Sequence, residues 1–165
     1  MALTETILVP PGAGTPNSFG GFKTLVKIRG GQTAGAFSIV EFAFQPGAFA
    51  PPHLHERTDE VSYILEGELG AMVAKQEFRA AAGSFVVRPK GVPHALWNAT
   101  DRPVKFLDMY TPAGFEAFGE ELARRFSSTP PTFDQLAELG RRHDVIFLPE
   151  QAPALLQKYN LRMPG

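Results

Sequence analysis

Four side chains of this 165-residue sequence have types and spacings suited to metal chemistry: His53, His55, Glu60 and His94. The chain has only four histidines, and two stand one residue apart in the stretch GAFAPPHLHERTDEVSYILEG, residues 47–67. In extended backbone, side chains i and i+2 point to the same side, so His53 and His55 project into one space about 6–7 Å apart. Two imidazoles so placed can chelate one ion. Pro51 and Pro52 keep the approach extended. Glu60 would fall on the other face by strict alternation. The polar run 56–59 is expected to bend the chain and reset the register, turning Glu60 inward together with Ser62 and Ile64. His94, on a later strand, adds a third imidazole. Three neutral imidazoles and a carboxylate make a mixed nitrogen and oxygen set for a borderline divalent ion, with one or two positions open for water, substrate or O₂. A single strand histidine is usually a packing or surface residue. The combination, each member in a strand-and-turn context aimed at one interior, is what points to chemistry.

The elements that must hold these residues are short and strand-like. FKTLVKI (22–28) and AFSIVEFAF (36–44) alternate apolar and polar. HLH is a short extended piece. EVSYILEG (60–67) and ELGAMVA (68–74) read as a hairpin across Glu66-Gly67. SFVVRP (84–89), PHALWN (93–98) and VKFLDMY (104–110) follow, with turns between them. TETILV (4–9) suggests an edge strand, and PPGAGTPNSFGG an irregular loop. Period-2 patterning at this spacing predicts an all-β sandwich or barrel with its core at about 22–110. Beyond Pro112 the spacing becomes helical: Phe115, Phe118, Leu122 and Phe126 in one segment, and 132–143 in another with Thr132 as N-cap. One or two C-terminal helices are expected over about 113–165, within one domain.

Composition narrows the classes further. The chain has no cysteine, which removes disulfides, zinc–thiolate sites and iron–sulfur clusters and suits a reducing cytoplasm. A net charge of −1 offers no clustered basic face for nucleic acid. The N-terminus lacks the basic start of a signal peptide, and no apolar run approaches the roughly 20 residues of a membrane span. A cytoplasmic protein that binds neither nucleic acid nor membrane is the expectation.

Residues 47–67 read G-x5-H-x-H-x4-E-x6-G, and residues 83–98 read G-x5-P-x-G-x2-H-x3-N. Together they resemble, position by position, the two signature motifs of the cupin superfamily. The resemblance implies a double-stranded β-helix (jelly-roll) barrel whose metal ligands are His53, His55, Glu60 and His94, with the glycines and Pro89 serving turns. It implies one divalent ion per chain, from iron, manganese, nickel, cobalt, copper or zinc. More narrowly the chain is similar to small single-cupin proteins of quercetin-dioxygenase-like type, in which the glutamate is both ligand and base toward a substrate hydroxyl. This similarity implies a metal-dependent dioxygenase acting on a small aromatic or polyphenolic compound, with Glu60 as the catalytic group, in a homodimer. A non-redox cupin (isomerase or decarboxylase) and a ligand-binding cupin without turnover share the same ligand set.

An apolar pocket should adjoin the metal. Its expected walls are Phe42, Phe44, Ile64, Met72, Leu96, Phe106 and Asp108. Trp97 alternates away from Leu96 and is read as outer-face or dimer packing. Tyr63 is read as packing, Glu41 as a solvated outward charge, and His143 as an exposed residue without chemistry.

Overall fold

The structure, a computed structural model, describes residues 7–17, 22–126, 129 and 131–163. Apolar–polar alternation yields, among these residues, β1 (Thr15–Pro16), β2 (Lys23–Ile28), β3 (Ser38–Phe44), β4 (Phe49–Leu54), β5 (Asp59–Glu66), β6 (Glu68–Val73), β7 (Gln76–Ala81), β8 (Phe85–Arg88), β9 (His94–Trp97) and β10 (Val104–Thr111). Helices α1 (Phe115–Arg125) and α2 (Phe133–Arg142) follow, then a two-residue strand β11 (Ile146–Phe147) and helix α3 (Ala152–Tyr159).

The strands form two antiparallel sheets: a six-stranded sheet in the order β1-β2-β3-β10-β5-β8 and a five-stranded sheet in the order β11-β4-β9-β6-β7. Val40, Phe42, Phe44, Ile64 and Phe106 of the first share one buried core with Leu69, Ala71 and Leu96 of the second. This is the expected jelly roll, built as two packed sheets and not as a closed barrel. Each buried phenylalanine there contributes about 2–3 kcal/mol. Phe42 stacks on Phe106 at 5.2 Å between ring centroids.

Several local expectations change. The hairpin across Glu66-Gly67 does not form: β5 pairs with β10 and β8, whereas β6 pairs with β7 and β9. Gly67, at φ +82°, instead carries the chain from one sheet to the other. A side chain there would lie 3.0 Å from the Pro103 carbonyl oxygen. β7 has no counterpart in the sequence reading, because both its faces are largely exposed and its pattern is weak. Of the expected strand 4–9, residues 4–6 lie outside the described residues, and 7–9 form no strand, with Ile7 and Leu8 exposed. The edge position is taken by β1, inside the stretch expected to be irregular.

Three C-terminal helices form, one more than expected. Thr132 caps α2: its hydroxyl accepts from Gln135 N (3.3 Å) while the Gln135 side chain accepts from Thr132 N (2.9 Å). Helix α3 covers the outer face of the five-stranded sheet, where Phe49, Met72 and Trp97 pack against Ala152 and Leu155. Trp97 is thus outer-face packing, with its ring 4.6 Å from that of Tyr159. The indole fits because residue 70 is glycine; an added Cβ would lie 2.1 Å from the indole nitrogen. No helix among the described residues is long and apolar enough to cross a membrane.

Candidate metal centre and its cavity

β4 and β9 pair so that His53 lies directly across from His94, with an irregular register between Ala50 and His53 at the proline pair. That irregularity shifts the parity of β4. Phe49 packs outward beneath α3, whereas Ala50 and His53 line the interior cavity. The turn after His55 then carries the chain into the opposite sheet. Glu60 therefore meets the histidines across the interior, and no register reset within one strand is needed. On β5 the inward residues are Glu60, Ser62 and Ile64, all buried.

The four side chains converge. His53 Nε2 is 3.1 Å from His94 Nε2, His94 Nε2 is 3.0 Å from Glu60 Oε2, and His55 Nε2 is 3.2 Å from Glu60 Oε1. One donor atom from each lies within 4.8 Å of every other. Each imidazole is oriented by its other nitrogen. Nδ1 of His53 donates to Pro51 O (2.8 Å), that of His94 to Val92 O (3.0 Å), and that of His55 to Asp144 O (2.6 Å). A carbonyl only accepts, so Nδ1 carries the proton in each ring and the Nε2 lone pairs face one another. Two facing lone pairs at 3.1 Å repel unless a cation lies between them. Nε2 of His55 is buried and makes no hydrogen bond. Donors about 2.1 Å from a shared ion sit roughly 3.0–3.4 Å apart, and the three contacts just given fall in that range. The residues fit a single divalent ion held by three imidazoles and a carboxylate.

Burial and charge favour the ligand forms of His53 and Glu60, whereas at His55 they favour the protonated ring. Burial, helped by His94 and His55, holds His53 well below the usual imidazole range and keeps it neutral. Burial alone would lower His55 as well, but the Glu60 carboxylate outweighs it and favours positive charge at that ring. Burial alone would raise Glu60; the Arg88 guanidinium and the nearby imidazoles bring it well below the usual carboxylate range.

Arg88 is the site residue that the sequence reading missed. It is 1% exposed, and its Nε donates to Glu60 Oε2 at 2.7 Å. Its Nη1 donates to Ser62 Oγ (2.6 Å), and its Nη2 lies 2.9 Å from Asp108 Oδ1. Ser62 and Tyr110 hydroxyls donate in turn to Asp108, the latter at 3.3 Å. Register builds this network: Glu60 is paired with Arg88 on one side and with Tyr110 on the other, and Ser62 with Asp108. The alternation in FVVR carried the signal, since Arg88 must share the inward face of Val86.

A cavity of about 470 Å³ opens beside the four donors. Of the expected walls, Phe42, Phe44, Leu96, Phe106 and Asp108 line it, as do His53, Glu60 and His94. Ile64 and Met72 do not. Ile64, 0% exposed, is sealed in the core beyond Ser62, and Met72 points to the outer face beneath α3. Much of the remaining wall comes from the C-terminal segment: Phe115 and Phe118 of α1, Phe133 and Leu136 of α2, and Phe147 of β11. The helices therefore cover the mouth. Among the other residues singled out from sequence, Glu41 pairs with Lys27 at 3.3 Å. His143 is half-buried, not exposed, and bonds Glu121 at 2.7 Å. Tyr63 lies against Phe85 on the outer surface, with centroids 4.7 Å apart.

Two packed antiparallel sheets whose interior presents three imidazoles and a carboxylate define a jelly-roll protein with a candidate metal centre. The family model described as Cupin domain matches residues 40–110, a segment that holds all four clustered donors, and with the fold this supports a small cupin protein. Germin-like protein subfamily 2 member 1 of Arabidopsis thaliana is 32% identical over 139 residues, spanning 78% of this chain and 61% of that protein. Quercetin 2,3-dioxygenase of Bacillus subtilis is 26% identical over 160 residues, spanning 92% of this chain and 47% of that protein. The chain thus spans roughly half to two thirds of the length of these relatives. Among solved structures, an RmlC-like cupin from Shewanella frigidimarina superimposes with TM-score 0.58 at 23% identity, covering 71% of this chain and 99% of that one.

Proposed function

We propose that this cupin is a metal-dependent dioxygenase acting on a small aromatic or polyphenolic compound, with His53, His55, Glu60 and His94 as metal ligands. One observation carries the reading: three of the four clustered donors, His53, Glu60 and His94, open directly onto a phenylalanine-walled cavity large enough for such a molecule. The match to a quercetin 2,3-dioxygenase along 92% of this chain supports it. Barrel and helical extension act as one domain, since both wall the cavity.

When bound, a redox-active divalent ion supplies Lewis acidity toward a substrate oxygen and the electron transfer that O₂ chemistry requires. The remaining work falls to the chain. Phe42, Phe106 and Phe115 give a planar ring an apolar wall to lie against and keep water out. Glu60 Oε1 accepts the proton of a substrate hydroxyl. Arg88 holds Glu60 ionised, which makes it a weak base that takes a proton only from an acidified hydroxyl. A non-redox reaction on the same residues, such as isomerisation or decarboxylation, is the second reading, favoured by the chain's spanning only 47% of the dioxygenase relative.

Elemental mass spectrometry on tag-free protein purified without added metal or chelator is the test. About one equivalent of iron, manganese, nickel, cobalt or copper, lost in His94→Ala, together with O₂ uptake on flavonol-type substrates, is the expected result. Zinc alone, with no O₂ uptake under any metal, would transfer the assignment to the non-redox reading.

A homodimer also belongs to this proposal. Tyr63, Leu65, Phe85 and Val87 form an exposed apolar patch on the outer faces of β5 and the edge strand β8, with Phe85 68% exposed.

A further inference from the structure

Two of the three imidazoles are held locally: His53 and His94 each donate Nδ1–H to the carbonyl two residues earlier in the chain. His55 is held differently. Its acceptor is the carbonyl of Asp144, 89 residues away and outside the family-matched segment 40–110.

Asp144 is built for that contact. It follows α2 in the left-handed conformation, at φ +61°, between His143 and Val145, whose N–H groups both donate to Gly140 O (2.8 and 2.9 Å). Its carboxylate accepts from Glu56 N (3.0 Å), Arg57 N (3.1 Å) and the Thr58 hydroxyl (3.0 Å), the residues immediately after His55. One residue thus clamps the His55 turn twice, through its side chain and through its main chain. The register continues past it, with Ile146 paired to Leu54 and Phe147 to His53. Without the Asp144 carbonyl in place, His55 loses the partner that keeps its proton on Nδ1 and its Nε2 free. The other two rings would be unaffected.

We propose that Asp144 is the positioning residue for ligand His55, so that the C-terminal segment completes the metal centre as well as covering it. This rests on the metal-binding reading above. Groups that orient a metal-bound histidine typically set affinity by 10- to 100-fold.

The test is Co(II) binding to the full chain, read as affinity by competition and as the visible absorption spectrum of the bound ion. Asp144→Ala removes the carboxylate and disfavours the left-handed backbone; it should weaken binding about tenfold or more and alter the spectrum. Asp144→Asn tolerates that backbone and keeps an acceptor oxygen, so it should restore affinity to within about threefold, with the wild-type spectrum. Wild-type affinity and spectrum in Asp144→Ala, even with a lowered melting temperature, would overturn the proposal. If that variant does not fold, Asp144→Gly keeps the backbone and removes only the carboxylate. It should bind several-fold more weakly, and unchanged binding would overturn the proposal equally. Failure of the wild-type chain to take up Co(II) would overturn the metal reading itself, and this inference with it.

Discussion

Glu60, Arg88 and Asp108 place three charged groups inside an interior otherwise lined by phenylalanine. Each is 3% exposed or less. Such ions persist only because Arg88 pairs with both carboxylates at close range. Removing the cation leaves two buried carboxylates facing each other. Arg88→Met should therefore cost about 3–5 kcal/mol in urea unfolding, far more than its lost contacts alone. A loss within about 1 kcal/mol would mean that the network is not held together by charge. The clustering of His53, His55, Glu60 and His94 was legible from sequence because they sit in spaced motifs that a reader can match. Arg88 was not, because a basic residue before a proline reads as a strand end at the surface. Asp144 was equally hidden: its role is played by a carbonyl, which every residue possesses. Ile64 failed as a wall residue because alternation gives the face of a strand but not the depth along it, and Met72 because Ala71, its neighbour on β6, takes the inward face.

The elements show what a pattern can and cannot carry. Period-2 alternation located most strands, and helical spacing located α1 and α2. Pairing was not legible, because β5 and β6 are contiguous alternating segments joined by Glu-Gly yet belong to different sheets. Two tests belong here. Gly70 on β6 lies against the Trp97 indole, so Gly70→Ala should destabilise the fold by about 1–3 kcal/mol through overpacking, measured by thermal unfolding. A neutral or stabilising outcome would mean that the sheet yields freely beneath α3. The start of α1 is fastened by Glu116, whose carboxylate accepts from Gly30 N (2.8 Å) and Gly114 N (3.1 Å). Burial alone would raise its pKa, but these donors, Gly30 foremost, hold it below the usual value. The folded carboxyl thus titrates below the unfolded one, near 4.3. Its contribution is complete above about pH 5 and is lost as pH falls through the folded value. Glu116→Ala should cost about 1–2 kcal/mol at pH 7 and progressively less toward pH 3. A difference independent of pH would show that only packing is lost.

At the scale of the whole molecule, the apolar patch on β5 and β8 should place two chains side by side. Light scattering should give about twice the 18.0 kDa chain mass, falling to one chain in Phe85→Lys. A wild-type mass near that of one chain would remove the dimer from the proposal. The cavity is likewise a property of the whole, since its floor comes from strands and its roof from helices far along the chain. That division was beyond sequence reading, because helical spacing shows which face is buried but not what it is buried against.

The four donors come from opposite sheets: Glu60 from one, and His53, His55 and His94 from β4, the residue after it, and β9 of the other. They exist as a set only when the two layers have closed on each other. An ion that binds this set has no comparable partner in the unfolded chain, so its binding free energy is added to that of folding. At a hundredfold excess over its dissociation constant the gain is about 2.7 kcal/mol. For a chain of this size that means roughly 5–10 °C in melting temperature. Melting temperature then becomes a ruler for ion preference: ions ranked by the shift they produce are ranked by affinity, and a chelator should reverse each shift. On the proposed reading, the two layers are joined by a fastening whose tightness is set by the ionic composition of the medium.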